Sequence, residues 1–260
     1  MKLSVLTENT ASAHFRAEFG LSYYIELDGK KILFDTGPTD VFLSNAKKLD
    51  IDLNKTDLVV LSHGHWDHGN GLKYLNDKKL LCHPEAFKKR YHKLDYSYIG
   101  LELSYEEIKQ KFNLTVSSKP RHITENIWFL GEIPRQNDFE SLTTSFIDDN
   151  NEADFVPDDS ALAIIEKDGL IVITGCSHAG ICNIIEYAKE TTGVKNVKTV
   201  MGGFHLKAND AQTRKTISYF KEQKVENILP SHCTRLPALA AFYDEFKIRQ
   251  VQAGMVFNFN

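Results

Sequence analysis

The stretch Leu58-Val59-Val60-Leu61-Ser62-His63-Gly64-His65-Trp66-Asp67-His68-Gly69-Asn70-Gly71 decides how this chain is read. An apolar run of strand length stops at three histidines and an aspartate within positions 63–68, so a buried strand delivers metal-binding groups to one rim of a fold. His63 and His65, two apart, leave a strand end on the same side and can reach one ion. Asp67 and His68 turn away from that pair. Glycines at 64, 69 and 71 let the backbone coil tightly enough for this second pair to face another ion, about 3.5–4 Å from the first. Neutral imidazoles and a carboxylate suit zinc, iron or manganese.

With 260 residues and 42% hydrophobic content the chain can bury one substantial core, and a single domain spanning 1–260 is expected. The formal net charge of -4 leaves no broad basic surface and argues against a nucleic-acid partner. Cys82, Cys176, Cys182 and Cys233 form no spaced disulfide framework and fit a reducing compartment. Met1-Lys2 runs straight into Leu3-Ser4-Val5-Leu6, and no apolar run approaches the roughly 18 residues of a membrane span. The expectation is a soluble cytoplasmic protein with no membrane partner, its oligomeric state open.

Lys2 to Glu8 reads as a first strand. Leu21 to Leu27 pairs with Lys31 to Asp35 across Asp28-Gly29-Lys30, where Asp-Gly supplies the positive φ of a hairpin turn. Asp40 to Leu49 carries Phe42, Asn45, Ala46 and Leu49 at helical spacing and crosses over to Leu58. A short helix from Gly71 to Asn76, a strand at Leu80-Leu81-Cys82 ending in His83, and a helix opened by Pro84 follow. Residues 88–121, with Tyr91, Tyr96, Tyr98 and Tyr105 among irregular charges, read as an insertion. Ile127 to Leu130 returns to strand character. It stops at Gly131-Glu132, and Glu132 and Arg135 suggest a substrate-binding rim where the guanidinium grips phosphate or carboxylate. Gln136 to Asp159 reads as a long acidic loop that could act as a lid.

The second half echoes the first: Ala161 to Glu166, Lys167-Asp168-Gly169 and Leu170 to Gly175 form a strand, an Asp-Gly turn and a strand ending in Thr-Gly. Ile181, Ile184, Ile185 and Ala188, and again Leu239, Phe242, Tyr243 and Phe246, give two helices one apolar stripe each. Val197 to Met201 and Glu226 to Leu229 are strands between them, and Met255 to Phe259 is an edge strand. Six of the ten histidines, at 63, 65, 68, 178, 205 and 232, fall at the ends of these strands. His205, after Gly202-Gly203-Phe204, is expected to protonate a leaving group or to hold an anionic substrate. His14, His92 and His122 read as surface residues.

The segment from His63 to His68 resembles the metal-binding signature of the metallo-beta-lactamase superfamily. Asp35-Thr36-Gly37, Gly131-Glu132-Ile133-Pro134-Arg135, Thr174-Gly175-Cys176-Ser177-His178-Ala179-Gly180, Gly202-Gly203-Phe204-His205-Leu206 and Ser231-His232-Cys233-Thr234 resemble one subgroup of it. That subgroup contains dihydropterin-(ribofuranosyl)aminobenzene-phosphate synthase. The resemblance implies an α/β fold, a four-layer αβ/βα sandwich (metallo-β-lactamase-like), with the site where strand ends of both halves converge. It also implies that His178 completes the ligand set of His63 and His65, and His232 that of Asp67 and His68. Cys176 stands where much of the superfamily has an aspartate bridging two metals. A thiolate ligates zinc at about 2.3 Å but bridges hard ions such as manganese poorly. The expected cofactor is zinc, one or two ions, with iron or manganese as alternatives.

Asp67 is expected to orient a water whose pKa the metal lowers from about 15.7 to about 7. The implied reaction is hydrolysis of a phosphorylated or phosphoester small molecule, an anionic substrate. Within the subgroup it becomes condensation of a pterin diphosphate with a ribosylaminobenzene phosphate, with diphosphate leaving. The alternative from another class is a metal-binding, ligand-sensing or regulatory module without turnover.

Overall fold

The computed structural model describes residues 1–167 and 169–259. The expected turn residue Asp168 lies outside them. In chain order the first elements are β1 (Lys2–Thr7), β2 (Ser22–Leu27), β3 (Lys30–Phe34), α1 (Val41–Lys48), β4 (Leu58–Val60), α2 (Trp66–Gly69), β5 (Lys78–Cys82) and β6 (Arg90–His92). There follow α3 (Tyr105–Lys111), β7 (Phe112–Val116), β8 (Arg121–His122), β9 (Ile127–Phe129), β10 (Phe146–Asp148), β11 (Ala161–Glu166) and β12 (Gly169–Thr174). The last are α4 (Ile181–Thr192), β13 (Val197–Gly203), α5 (Ala211–Glu222), β14 (Asn227–Ser231), α6 (Leu236–Phe246) and β15 (Val256–Asn258). The chain divides into two compact units, each an α/β assembly with its own sheet.

The first unit takes Met1–Ser117, Ser145–Asp154 and the chain from Gln252 onward. Its seven-stranded sheet runs β15-β1-β2-β3-β4-β5-β7. The strands from β15 to β3 pair antiparallel; β3, β4, β5 and β7 pair parallel. The β2–β3 hairpin closes on Asp28 and Gly29 at φ 52° and 69°, the positive values the Asp-Gly pair was expected to supply. Phe42 and Ala46 of α1 pack with Leu6, Leu33, Val59 and Leu80 in one core, which Ile108 of α3 and Phe112 extend. Residues 88–121 therefore hold regular structure: β6, which pairs with β10, α3, and β7 on the sheet edge. A capping box starts α3, in which Ser104 and Glu107 each accept the other's backbone N–H. Arg90 on β6 is fully buried, and its Nε donates to Asp154 at 2.7 Å.

The second unit takes Ser118–Thr144 and Phe155–Val251. Its six-stranded sheet runs β14-β13-β12-β11-β9-β8, with β12, β13 and β14 parallel. Every residue of β12 is buried, as a strand covered on both faces must be, so it reads as an unbroken apolar run. Ile181, Ile184 and Ile185 of α4, Phe220 of α5 and Phe242 of α6 join Val172 and Val200 in its core. α5 was not anticipated from the sequence. Its buried face is Thr213, Thr216, Ile217 and Phe220, and two threonines at helical spacing hide the stripe. Among the described residues no helix is long and apolar enough to cross a membrane.

Candidate metal centre

In the first unit, β4 ends at Val60 and the chain turns through Leu61 and Ser62 into the histidines. His63 and His68 have no exposed surface, and His65 and Asp67 are also buried. Gly64 has no alternative: a Cβ there would lie 1.7 Å from the Ala86 carbonyl oxygen. The imidazoles are aimed by Asp35, which follows β3 at φ 57° and is fully buried. Its Oδ1 accepts the Ser62 N–H at 2.7 Å; its Oδ2 accepts the Ser62 hydroxyl at 2.7 Å and lies 2.7 Å from His68 Nδ1.

A carboxylate can only accept, so His68 carries its proton on Nδ1 and presents a lone pair at Nε2. The Ser62 hydroxyl spends its proton on Asp35, so His63 Nδ1, 2.9 Å from Ser62 Oγ, must donate to it. His63 also presents Nε2. That atom lies 3.0 Å from His65 Nδ1, close to the about 3.3 Å at which a tetrahedral ion would hold two imidazole nitrogens. Asp67 Oδ2 stands 3.9 Å from His68 Nε2. The four residues of the signature are thus brought together. His83 caps the turn Pro84–Phe87, its Nδ1 accepting the Glu85 N–H. Phe19 stacks on Trp66 with centroids 6.1 Å apart.

In the second unit the site residues leave the ends of β12, β13 and β14. Ligand atoms of Cys176, His232 and Cys233 lie within 4.8 Å of one another. His178 and His205 meet ring to ring, centroids 4.4 Å apart. Ser177, His205 and His232 hold φ of 58°, 51° and 48°, so each strand end turns sharply through a left-handed residue. The Ser177 hydroxyl, 3.0 Å from Thr174 Oγ1, donates to the Gly203 carbonyl at 2.6 Å. Asp159 accepts the N–H groups of Ala179 and His178. Burial pushes its carboxyl up to about 7, against the pull of those amides and of Arg135. Arg135 is tethered: Nε donates to Ser141 Oγ at 2.9 Å and one Nη to the Phe155 carbonyl. Glu132 is exposed.

Sequence reasoning missed Asp35 and Ser62 as the groups that set the imidazole tautomers, and Asp159 beneath His178. Asp35-Thr36-Gly37 is legible as a motif, but the partner of its carboxylate is 33 residues away. The signature's buried imidazole lone pairs and carboxylate, and the sulfurs of the second unit, fit a divalent metal.

A model of the Metallo-beta-lactamase superfamily matches residues 16–189. An uncharacterised protein of Methanocaldococcus jannaschii is 38% identical over 91% of this chain and 92% of its own length. The same organism's 7,8-dihydropterin-6-methyl-4-(beta-D-ribofuranosyl)-aminobenzene-5'-phosphate synthase is 32% identical over 100% of this chain and 97% of its own. A crystal structure of a metal-dependent hydrolase of the beta-lactamase superfamily is similar at a TM-score of 0.89 and 34% identity, covering 100% of this chain and 99% of that one. The metal-binding signature, the two α/β units and these likenesses lead to one conclusion: the chain belongs to the metallo-beta-lactamase superfamily.

Proposed function

We propose that this protein is a metal-dependent enzyme that cleaves a phosphoester or diphosphate bond in a small anionic substrate. The observation that carries the reading is the Asp35–Ser62 network, which turns the Nε2 lone pairs of His63 and His68 to one buried place. In this reading His63, His65, Asp67 and His68 would serve as metal ligands from the first unit, and Cys176, His178 and His232 from the second. A divalent cation so held supplies Lewis acidity and lowers the pKa of water. In hydrolysis the water oxygen bonds to phosphorus and the ester P–O bond breaks. Asp67 takes a proton from the water, and His205 gives one to the leaving oxygen. Arg135 supplies the positive charge that holds the anionic group.

The likeness to the Methanocaldococcus jannaschii synthase supports a narrower reading, in which a pterin diphosphate and a ribosylaminobenzene phosphate condense and diphosphate leaves. The test is metal content and turnover together. His65→Ala should lose most of the bound metal, and a His65→Ala protein with the parent's stoichiometry would sink the metal reading. His205→Ala and Arg135→Ala should keep the metal while turnover drops, for His205 by about 10²–10⁴-fold. Release of diphosphate from the pterin diphosphate only when the ribosylaminobenzene phosphate is present would select the narrower reaction.

A further inference from the structure

We infer that Cys233 is a metal ligand, and that the second unit holds a cation through two sulfurs and an imidazole, those of Cys176, Cys233 and His232. The inference rests on the reading of this protein as a metal enzyme. It changes the character of one site: the donor set is Cys₂His, chosen by thiophilic cations, in place of one built on carboxylate oxygen.

The three side chains come from two strand ends with a third strand between them. Cys176 follows β12, His232 and Cys233 follow β14, and β13 lies between these strands in the sheet. Their ligand atoms nevertheless lie within 4.8 Å of one another, because both loops lean over the end of β13. A tetrahedral zinc with bonds of about 2.3 Å to sulfur needs its two sulfurs about 3.8 Å apart, so side-chain adjustment of an ångström or less closes the site.

The end of β13 is shaped for the Cys233 sulfur. A Cβ on Gly203 would stand 2.5 Å from Cys233 Sγ and 2.6 Å from the Gly175 carbonyl oxygen. The absence of a side chain at Gly203 is what leaves room for the sulfur. The His205 backbone N–H donates to Cys233 Sγ at 3.3 Å and so holds the sulfur over the end of β13. The thiol itself donates to the Cys176 carbonyl at 3.4 Å, a contact it would give up to a bound cation. Cys82 and Cys182, both buried, stand outside this cluster and serve as internal controls.

The probe is cadmium, added to the metal-free full-length protein and read by its thiolate-to-metal charge-transfer absorbance in the ultraviolet and by bound cadmium. The expected result is an absorbance that falls by about half in Cys233→Ser and in Cys176→Ser, and vanishes in the double variant. In the parent protein, cadmium should also protect Cys233 from alkylation by iodoacetamide, read by mass spectrometry, so the test survives a variant that fails to fold. Cadmium bound with undiminished absorbance in Cys233→Ser, or Cys233 alkylated as fast in the cadmium-loaded parent as in the metal-free parent, overturns the inference and leaves the metal reading intact. Absence of bound cadmium from the parent overturns both.

Discussion

After β4 two of the imidazoles are aimed by side chains: Asp35 fixes His68 directly and His63 through the Ser62 hydroxyl. After β12 and β14 the aiming is done by backbone. The His205 amide meets Cys233, the Gly203 carbonyl anchors Ser177, and the amides of Ala179 and His178 meet Asp159. The difference follows from the ligands. An imidazole has two nitrogens and must be told which one keeps the proton, which takes a charged acceptor at Nδ1. A thiol has a single donor atom, and a nearby amide with enough space suffices. Replacing the aiming side chain should therefore cost metal affinity around the histidines, and filling the space at Gly203 should disturb the sulfurs although no polar group is removed.

Arg90→Ala gives the largest expected effect, because the guanidinium is fully buried against Asp154 and also donates to the Glu85 carbonyl behind the signature loop. A loss of about 3–5 kcal/mol in urea unfolding is expected, and a loss under about 1 kcal/mol would show that the first unit does not depend on this pair. Asp35→Asn comes next. An amide nitrogen can donate to His68 Nδ1, which puts the ring proton on Nε2. Metal affinity measured against a chelator should fall about 10–100-fold with the fold retained, and unchanged affinity would break the tautomer argument.

Gly203→Ala sharpens the other half of the comparison. Its new methyl meets a backbone oxygen and a sulfur, so about 1–3 kcal/mol of stability should be lost although no polar group is removed. A neutral result would mean the loop is loose. The smallest effect concerns Glu140, whose carboxylate accepts the N–H groups of Cys182 and Asn183 at the start of α4. Burial raises its pKa above 4.5 despite those bonds. The stability it contributes is thus fully present below its unfolded pKa and lost as pH rises through the folded one. Between pH 4 and 7 the melting temperature of the parent should lose ground to that of Glu140→Gln; a gap independent of pH would contradict this.

The sequence showed where local chemistry acts alone. The Asp28-Gly29 hairpin and the isoleucine stripe of α4 appear as read, because each depends on neighbours within a turn or two, whereas Pro84 opens a single turn, Pro84–Phe87, in place of the expected helix. α5 was hidden because Thr213 and Thr216 face inward with their hydroxyls on the carbonyls of Ala208 and Gln212, so burial there carries no apolar signature. β7 was hidden because an edge strand with Phe112 buried and Asn113 exposed reads as irregular. At the site, the histidines announced themselves by spacing. Asp35 and Cys233 did not: one acts on a histidine 33 residues on, and the other lies against a cysteine 57 residues back.

The pairing of β15 with β1 has a consequence for biosynthesis. Leu3 lies opposite Phe257 across an antiparallel ladder, so β1 waits for a strand made long after it. All of the second unit is made in the interval, and Phe155–Val251 can form its sheet and helices while the edge of β1 is still open. An open edge of that kind is a template for another chain, so translation that stalls before Val256 leaves a nascent protein prone to join its neighbours.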